Sequence, residues 1–468
     1  MTDRLLQSRD DAIARVRAIY DGGTFLQDLR RRVAIRTESQ IIEERRSHMN
    51  AYMEEMRATL EPIGYKTEVF ENPSPIGGPL MIAERQEVGA DLTVLTYGHG
   101  DVVLGQEERW KDGIDPWTIT IKDKKIYGRG TADNKGQHSI NIAALATVIE
   151  TRGKLGFNSR ILIETSEESG SPGLADFARK EKARLAADVL IASDGPRLQP
   201  ERPTLFMGSR GSIAFDVTID LRQGGHHSGN WGGLIANPAI VLSHVLSSVT
   251  DRRGQIRIPE WRPNSVTNSI RTALADCVID GGEDGPEIDP NWGEKSLSPT
   301  ERVIAWNSFE ILAMVSGTPE TPVNAIPPSA SARCQLRFVV GTDVNDVVPA
   351  LRRHLEREGF TRVTVTQVDR GVMQATRLDP DHPWVRWAAE SIQRTTKKNP
   401  AILPNLGGSL PNDVFSEILE MPTLWVPHSY ASCSQHAPNE HALSYIVREG
   451  LEIMTGLFWD ISESGKSR

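Results

Sequence analysis

Through the first sixty residues, apolar positions recur every three or four residues among charged ones. That spacing predicts helices over Asp11–Tyr20, Phe25–Ala34 and Ile41–Leu60, the last stopped by Gly64. The rhythm then changes. Short runs rich in β-branched residues predict strands at Tyr65–Phe70, Asp91–Tyr97, Arg160–Glu164 and Asp188–Ala192, with helices over Gly136–Thr151 and Leu174–Leu185 between the later ones. Strands alternating with helices predict an α/β sheet with substantial parallel content.

Near Met207 the pattern shifts again. Ser212–Leu221 alternates like a half-buried strand, and Asn237-Pro238 reads as the cap and first residue of a helix over Pro238–Val249. Asp280–Thr300, rich in Gly, Pro and acidic residues, reads as a long surface loop. A strand at Ala330–Val340, a helix at Val344–Glu358 and a strand at Thr361–Val368 complete a smaller α+β unit. From Pro383 the rhythm returns to long helices and a buried strand, Thr423–Pro427, ending in a helix from Asn439 onward. The expected organisation is a catalytic domain in two parts, residues 1–207 and 379–468, interrupted by a lid at 208–378.

Composition narrows the partners. Lys plus Arg is 53 against 62 for Asp plus Glu, a net charge of −9 with no basic block, so neither nucleic acid nor an anionic membrane is expected to bind. Cys277, Cys334 and Cys433 are odd in number and far apart, which fits a reducing compartment rather than a disulfide framework. Met1–Leu6 lacks the apolar run of a signal peptide, and no segment is apolar enough to span a membrane; the expected location is cytoplasmic.

Candidate chemistry gathers at predicted strand ends, the rim where open α/β sheets build their sites. Gly98-His99-Gly100-Asp101 ends one strand. Gly128-Arg129-Gly130-Thr131-Ala132-Asp133 is a glycine-spaced turn entering a helix. Glu167-Glu168-Ser169-Gly170 and Ser193-Asp194-Gly195 follow two more strands, and His436 lies near the C-terminus. His99, His436, Asp133, Glu168 and Asp194 supply two imidazoles and three carboxylates, a set that suits zinc, manganese or cobalt. If one carboxylate bridges, each of two ions takes one histidine and one terminal carboxylate, and two-metal sites of this kind hold their ions about 3.5–4 Å apart. Adjacent glutamates divide labour naturally: Glu168 on metal, Glu167 as general base. Asp101, two residues beyond His99, is placed to orient the imidazole.

These segments, in this order, resemble the metallopeptidase family of carnosinase-type dipeptidases, succinyl-diaminopimelate desuccinylase, acetylornithine deacetylase and carboxypeptidase G. The likeness runs from His99 to the last helix and is greatest for the carnosinase-like branch, through Glu167–Gly173 and Gly407–Pro411. The resemblance implies a zinc-exopeptidase-like catalytic domain, its mixed sheet lying between helices, interrupted by an α+β lid and dimerisation domain. It implies two divalent ions bridged by Asp133, and a cis Asp133–Asn134 peptide. It further implies that His227, in His226-His227-Ser228-Gly229, reaches the partner's site in a homodimer. Arg337, Gly408 and Ser409 are implied to hold a substrate carboxylate, with Asn324 at the neighbouring polar position of the substrate site. The chain departs from many dipeptidase relatives at Asn134, and Lys111–Pro116 and Glu283–Leu297 match no one specificity.

Each residue also has an ordinary reading. Asp133 could cap the following helix, Asp194 could be a turn residue, His227 could sit in a plain loop, Arg337 could pair with a lid carboxylate, and Cys433 could be an inert thiol. Taken together, the residues point to hydrolysis of a peptide or amide bond in a small substrate, with a dipeptidase as the leading reading. The alternatives are a deacylase or other amidohydrolase acting on a small amide or aryl substrate, and a non-catalytic binding protein on the same scaffold.

Overall fold

A computed structural model describes residues 8–279, 285–368 and 372–464. Its larger sheet has eight strands in the order Lys66–Phe70, Leu80–Arg85, Asn158–Glu164, Thr93–His99, Val189–Ala192, Thr423–Trp425, Thr204–Phe206 and Ala401–Leu403. The four central strands, from Asn158–Glu164 to Thr423–Trp425, are mutually parallel. Their C-terminal ends therefore open on one rim.

Both faces of these strands are covered, which is why they read as continuous apolar runs. Val94, Ile161, Ile163, Val189 and Ile191 enter one core with the helices Arg9–Asp21, Lys135–Arg152, Pro383–Thr396 and Ser444–Ser464. Leu95, Leu162, Leu190 and Ala192 enter the opposite core with Leu174, Phe177 and Phe415. Each such Val, Leu, Ile or Phe side chain, fully buried, contributes roughly 1.5–3 kcal/mol.

Between Thr204–Phe206 and Ala401–Leu403 the chain builds a second, antiparallel sheet in the order Ser308–Val315, Ser329–Phe338, Gly211–Asp220 and Thr364–Gln367. One face packs on the helices Pro238–Val249 and Val347–Arg357 in a core of its own. Asn237 caps the first of these, its side chain accepting from the Ala239 N–H at 2.9 Å.

Several expectations need correction. The helix over Leu174–Leu185 breaks at Glu181 into Leu174–Lys180 and Lys182–Leu185. The last helix begins at Ser444, and His441–Leu443 is instead a strand paired antiparallel with Lys125–Tyr127. Asn439 is left-handed, with φ 66°, and its side chain accepts from the Lys111 N–H at 2.8 Å, so it closes a loop rather than capping a helix. The Asp280–Thr300 segment is irregular over 285–298, after which Ser298 caps a short helix at Pro299–Ile304. Its first five residues, 280–284, and Met1–Leu6 lie outside the described residues. Among the described residues no helix is long and apolar enough to cross a membrane.

Candidate metal centre

The strand carrying His99 ends at that residue, and two close approaches explain its flanking glycines. A Cβ on Gly98 would lie 2.4 Å from the His138 side chain, and one on Gly100 would lie 2.2 Å from the Tyr52 ring. Only glycine admits those rings. They belong to a buried chain in which Tyr52 Oη meets His138 Nε2 at 2.6 Å and His138 Nδ1 meets Asn134 Oδ1 at 3.0 Å. Asn134 Nδ2 in turn donates to the Ser193 carbonyl at 2.8 Å, tying the Asp133 turn to the Asp194 turn. The Asp133–Asn134 peptide is cis. Asp133 does not cap the helix that follows; Asn134 holds the cap position, without a side-chain cap bond.

Five separate segments, a strand end and four turns beyond it, bring the five predicted ligands together. His99 Nε2 lies 3.1 Å from Asp133 Oδ1 and 3.5 Å from Asp194 Oδ2. His436 Nε2 lies 3.0 Å from Asp133 Oδ2 and 2.9 Å from Glu168 Oε2. The side chains thus form two groups, His99–Asp133–Asp194 and Asp133–Glu168–His436, with ligand atoms in each group within 4.8 Å of one another. Asp133 is common to both. Glu167 belongs to neither, its nearest imidazole contact being His99 Nε2 at 3.9 Å.

Asp101 faces the His99 ring, as its place in the sequence suggests, and also braces the glutamate turn. Its carboxylate stands 3.5 Å from His99 Nδ1, which has a nearer neighbour in the Asp101 backbone carbonyl at 3.2 Å. The same carboxylate accepts the N–H groups of Glu167 and Glu168 at 3.1 and 3.0 Å, fixing the glutamate turn.

Electrostatically the cluster is short of cations. Burial pushes Glu167 well above the usual carboxylate range, and Glu168, Asp194 and Asp133 add to the rise while His99 opposes it. Burial and Asp133 push Glu168 up to about 7, and burial raises Asp194. Burial would also raise Asp133, but His436 and His99 hold it well below its ordinary value. Burial disfavours the charged imidazoles, yet the surrounding carboxylates of Asp101, Asp133 and Asp194 hold His99 well above its usual range, and those of Asp133 and Glu168 hold His436 at about 11. Imidazolium protons thus partly offset a carboxylate excess that divalent cations would neutralise outright. Two buried oxygens, Glu168 Oε1 and Asp194 Oδ2, have no hydrogen-bond partner, which a cation would supply. The donor set fits divalent metal.

Two contributors were not singled out by their sequence positions. Gln435 Nε2 makes a short hydrogen bond to Asp133 Oδ2. Glu440 Oε1 accepts the N–H groups of Gly130, Ala132 and Asp133 at 3.0, 3.0 and 3.1 Å, while its Oε2 accepts from Arg129 at 2.8 Å. This fully buried pair cradles the turn that presents Asp133. The proximity of Glu440 to His436 in sequence was its only signal.

A cavity of about 600 Å³ opens onto the cluster and is also lined by Arg337, Gly408 and Ser409. Arg337 donates to Ser409 Oγ at 2.8 Å and makes no ion pair among the described residues. His227 and Asn324 are exposed and lie off this cavity. They adjoin one another, Ser228 N–H donating to the Asn324 carbonyl at 2.9 Å. Cys433 is a buried free thiol that stands in neither candidate group.

Comparison with known proteins gives the family. A sequence model of Peptidase family M20/M25/M40 matches residues 95–460. The chain is 27% identical to the mouse (Mus musculus) Beta-Ala-His dipeptidase over 412 residues, 82% of this chain and 80% of that protein. It is also 27% identical to the Cysteinylglycine-S-conjugate dipeptidase of Corynebacterium striatum over 364 residues, 76% of this chain and 77% of the relative. The solved structure of the di-peptidase Dug1p from Saccharomyces cerevisiae superposes with a TM-score of 0.80 at 21% identity, covering 98% of this chain and 100% of that one. Human carnosine dipeptidase 1 superposes at 0.78 with 23% identity, covering 97% of this chain and 100% of that one. The chain belongs to Peptidase family M20/M25/M40 and is a metal-dependent peptidase.

Proposed function

We propose that the protein is a dipeptidase that holds two divalent ions, most suitably zinc, with manganese or cobalt as substitutes. The observation that carries this reading is the pair of ligand groups sharing Asp133, with Glu167 beside them and in neither. His99 and Asp194 would hold one ion, His436 and Glu168 the other, and Asp133 both. Ions so held would supply positive charge for the carbonyl oxygen and acidify water. Glu167 acts as the base: Oε2 takes a proton from the attacking water and returns it to the leaving nitrogen. Arg337, with Ser409 and Gly408, grips the substrate carboxylate.

The relatives' names, Beta-Ala-His and Cysteinylglycine-S-conjugate dipeptidase, support a small peptide as substrate. The separate core of the antiparallel sheet supports a division into a catalytic unit, 1–207 and 379–468, and a lid, 208–378. A homodimer is supported by the outer strand of that sheet, Ser308–Val315, on which Ile311, Leu312, Met314 and Val315 are exposed. Three unpaired cysteines support a reducing, cytoplasmic location.

The test is chelation with Glu167→Gln as control. Metal-stripped protein loses dipeptide hydrolysis and regains it with zinc, manganese or cobalt. The variant keeps about two ions per chain by elemental analysis but loses at least about 100-fold in kcat. Activity indifferent to chelation, or a variant with near-native turnover, refutes the reading.

A further inference from the structure

The cavity lining divides by chemistry. Besides the titratable cluster and the Arg337–Ser409 grip, Leu198, Val303, Ile304, Leu403 and Leu406 form an apolar wall. The wall is continuous with the grip. A Cβ on Gly407 would lie 2.7 Å from Val303 Cγ1, and one on Gly408 would lie 3.4 Å from Leu406 Cδ2. The other arginine of the lining, Arg197, is engaged elsewhere, bonded to Glu449 at 2.5 Å and to the Pro200 carbonyl at 3.1 Å. Arg210, behind the grip, is likewise turned to backbone, donating to the Gly407 carbonyl at 2.6 Å, so a side chain seated on the wall meets hydrocarbon.

Building on the dipeptidase reading, we infer that the substrate residue whose carboxylate is held by Arg337 carries a medium-sized apolar side chain, branched aliphatic or aromatic, packed on this wall. A glycine there leaves the wall unfilled. An aspartate or lysine is stripped of water without gaining a partner. Contacts of this kind discriminate by about 10- to 200-fold.

The experiment measures kcat/KM of the metal-loaded enzyme for Ala-Gly, Ala-Leu, Ala-Phe, Ala-Asp and Ala-Lys, with N-acetylglycine and N-acetylleucine in parallel. Ala-Leu and Ala-Phe should exceed Ala-Gly by at least about tenfold, with Ala-Asp and Ala-Lys below it. Val303→Asp, at a partly exposed position, should reduce the Ala-Leu to Ala-Gly ratio at least about fivefold. Leu198→Asn gives the same readout if that variant does not fold. Equal values for Ala-Gly and Ala-Leu, or a preference for the charged residues, overturn the inference and leave the dipeptidase reading standing. Conversely, hydrolysis of N-acetylleucine over N-acetylglycine with no dipeptide cleaved removes the dipeptidase reading and supports the wall. If neither series is hydrolysed, calorimetry with free leucine and glycine decides: tighter leucine supports the wall, equal binding overturns it.

Discussion

Glu167 and Glu168 are neighbours in sequence and take different positions because Asp101 accepts both of their backbone N–H groups. The turn so fixed sends Glu168 to His436 at 2.9 Å and leaves Glu167 nearest to His99, at 3.9 Å. A second buried group, Lys135, gives a measurable consequence. Its ammonium donates to the carbonyls of Arg32 and Ile35 at 3.0 and 2.6 Å, and burial pushes it down from 10.5 to about 7. Between those values the unfolded chain binds the proton that the native chain lacks. The stability contributed by this group is thus full above 10.5 and is lost as pH falls towards 7. In urea melts of metal-free protein from pH 7 to 9, wild type should gain on Lys135→Met by up to about 1.4 kcal/mol per pH unit. A flat difference contradicts a downshifted amine. Residue types in short motifs marked the five candidate ligands in the sequence, and the fold gathers them into two groups. The roles of Glu440 and Gln435 were not legible, because each contacts a turn some three hundred residues away and only folding brings them together.

Elements decide where these residues meet. Three parallel strands deliver His99, the Glu167–Glu168 turn and Asp194 to one rim. Their burial on both faces made them readable as apolar runs. Ser308–Val315 was not readable, since its exposed Ile311, Leu312, Met314 and Val315 spoil the alternation that marks a half-buried strand. The hairpin of Thr120–Lys122 and Lys125–Tyr127 escaped notice because its turn residues, Asp123 and Lys124, carry none of the glycine that usually signals positive φ. Arg337, on the antiparallel sheet, and Ser409, beyond Ala401–Leu403 of the larger one, join the two sheets across the cavity. Arg337→Ala should raise KM for a dipeptide at least about tenfold with a smaller change in kcat, the pattern of a lost binding contact. Arg337→Lys should recover only part, lacking the planar fork. An unchanged KM would remove Arg337 from substrate binding.

At the scale of the molecule, the proposed dimer makes the active site a property of two chains. His227→Ala and Glu167→Gln should each be nearly inactive alone. If His227 serves the partner's site, subunit exchange between them gives heterodimers holding one intact site, and activity should recover to roughly a quarter of wild type. No recovery after exchange, verified by mass spectrometry, would confine His227 to its own chain or to the surface. The fold class and two-sheet organisation were legible from the change of period near Met207 and its return near Pro383. The expectation of a dimer came only from resemblance, because a single chain's periodicity does not say what covers an exposed strand.

The most direct test of the central claim is the anomalous-scattering map of a crystal of the zinc-loaded protein. Two peaks about 3.5–4 Å apart, with Asp133 between them, His99 and Asp194 on one, His436 and Glu168 on the other, and Glu167 bound to neither, is the predicted result. A single peak, or Glu167 within bonding distance of an ion, would contradict it.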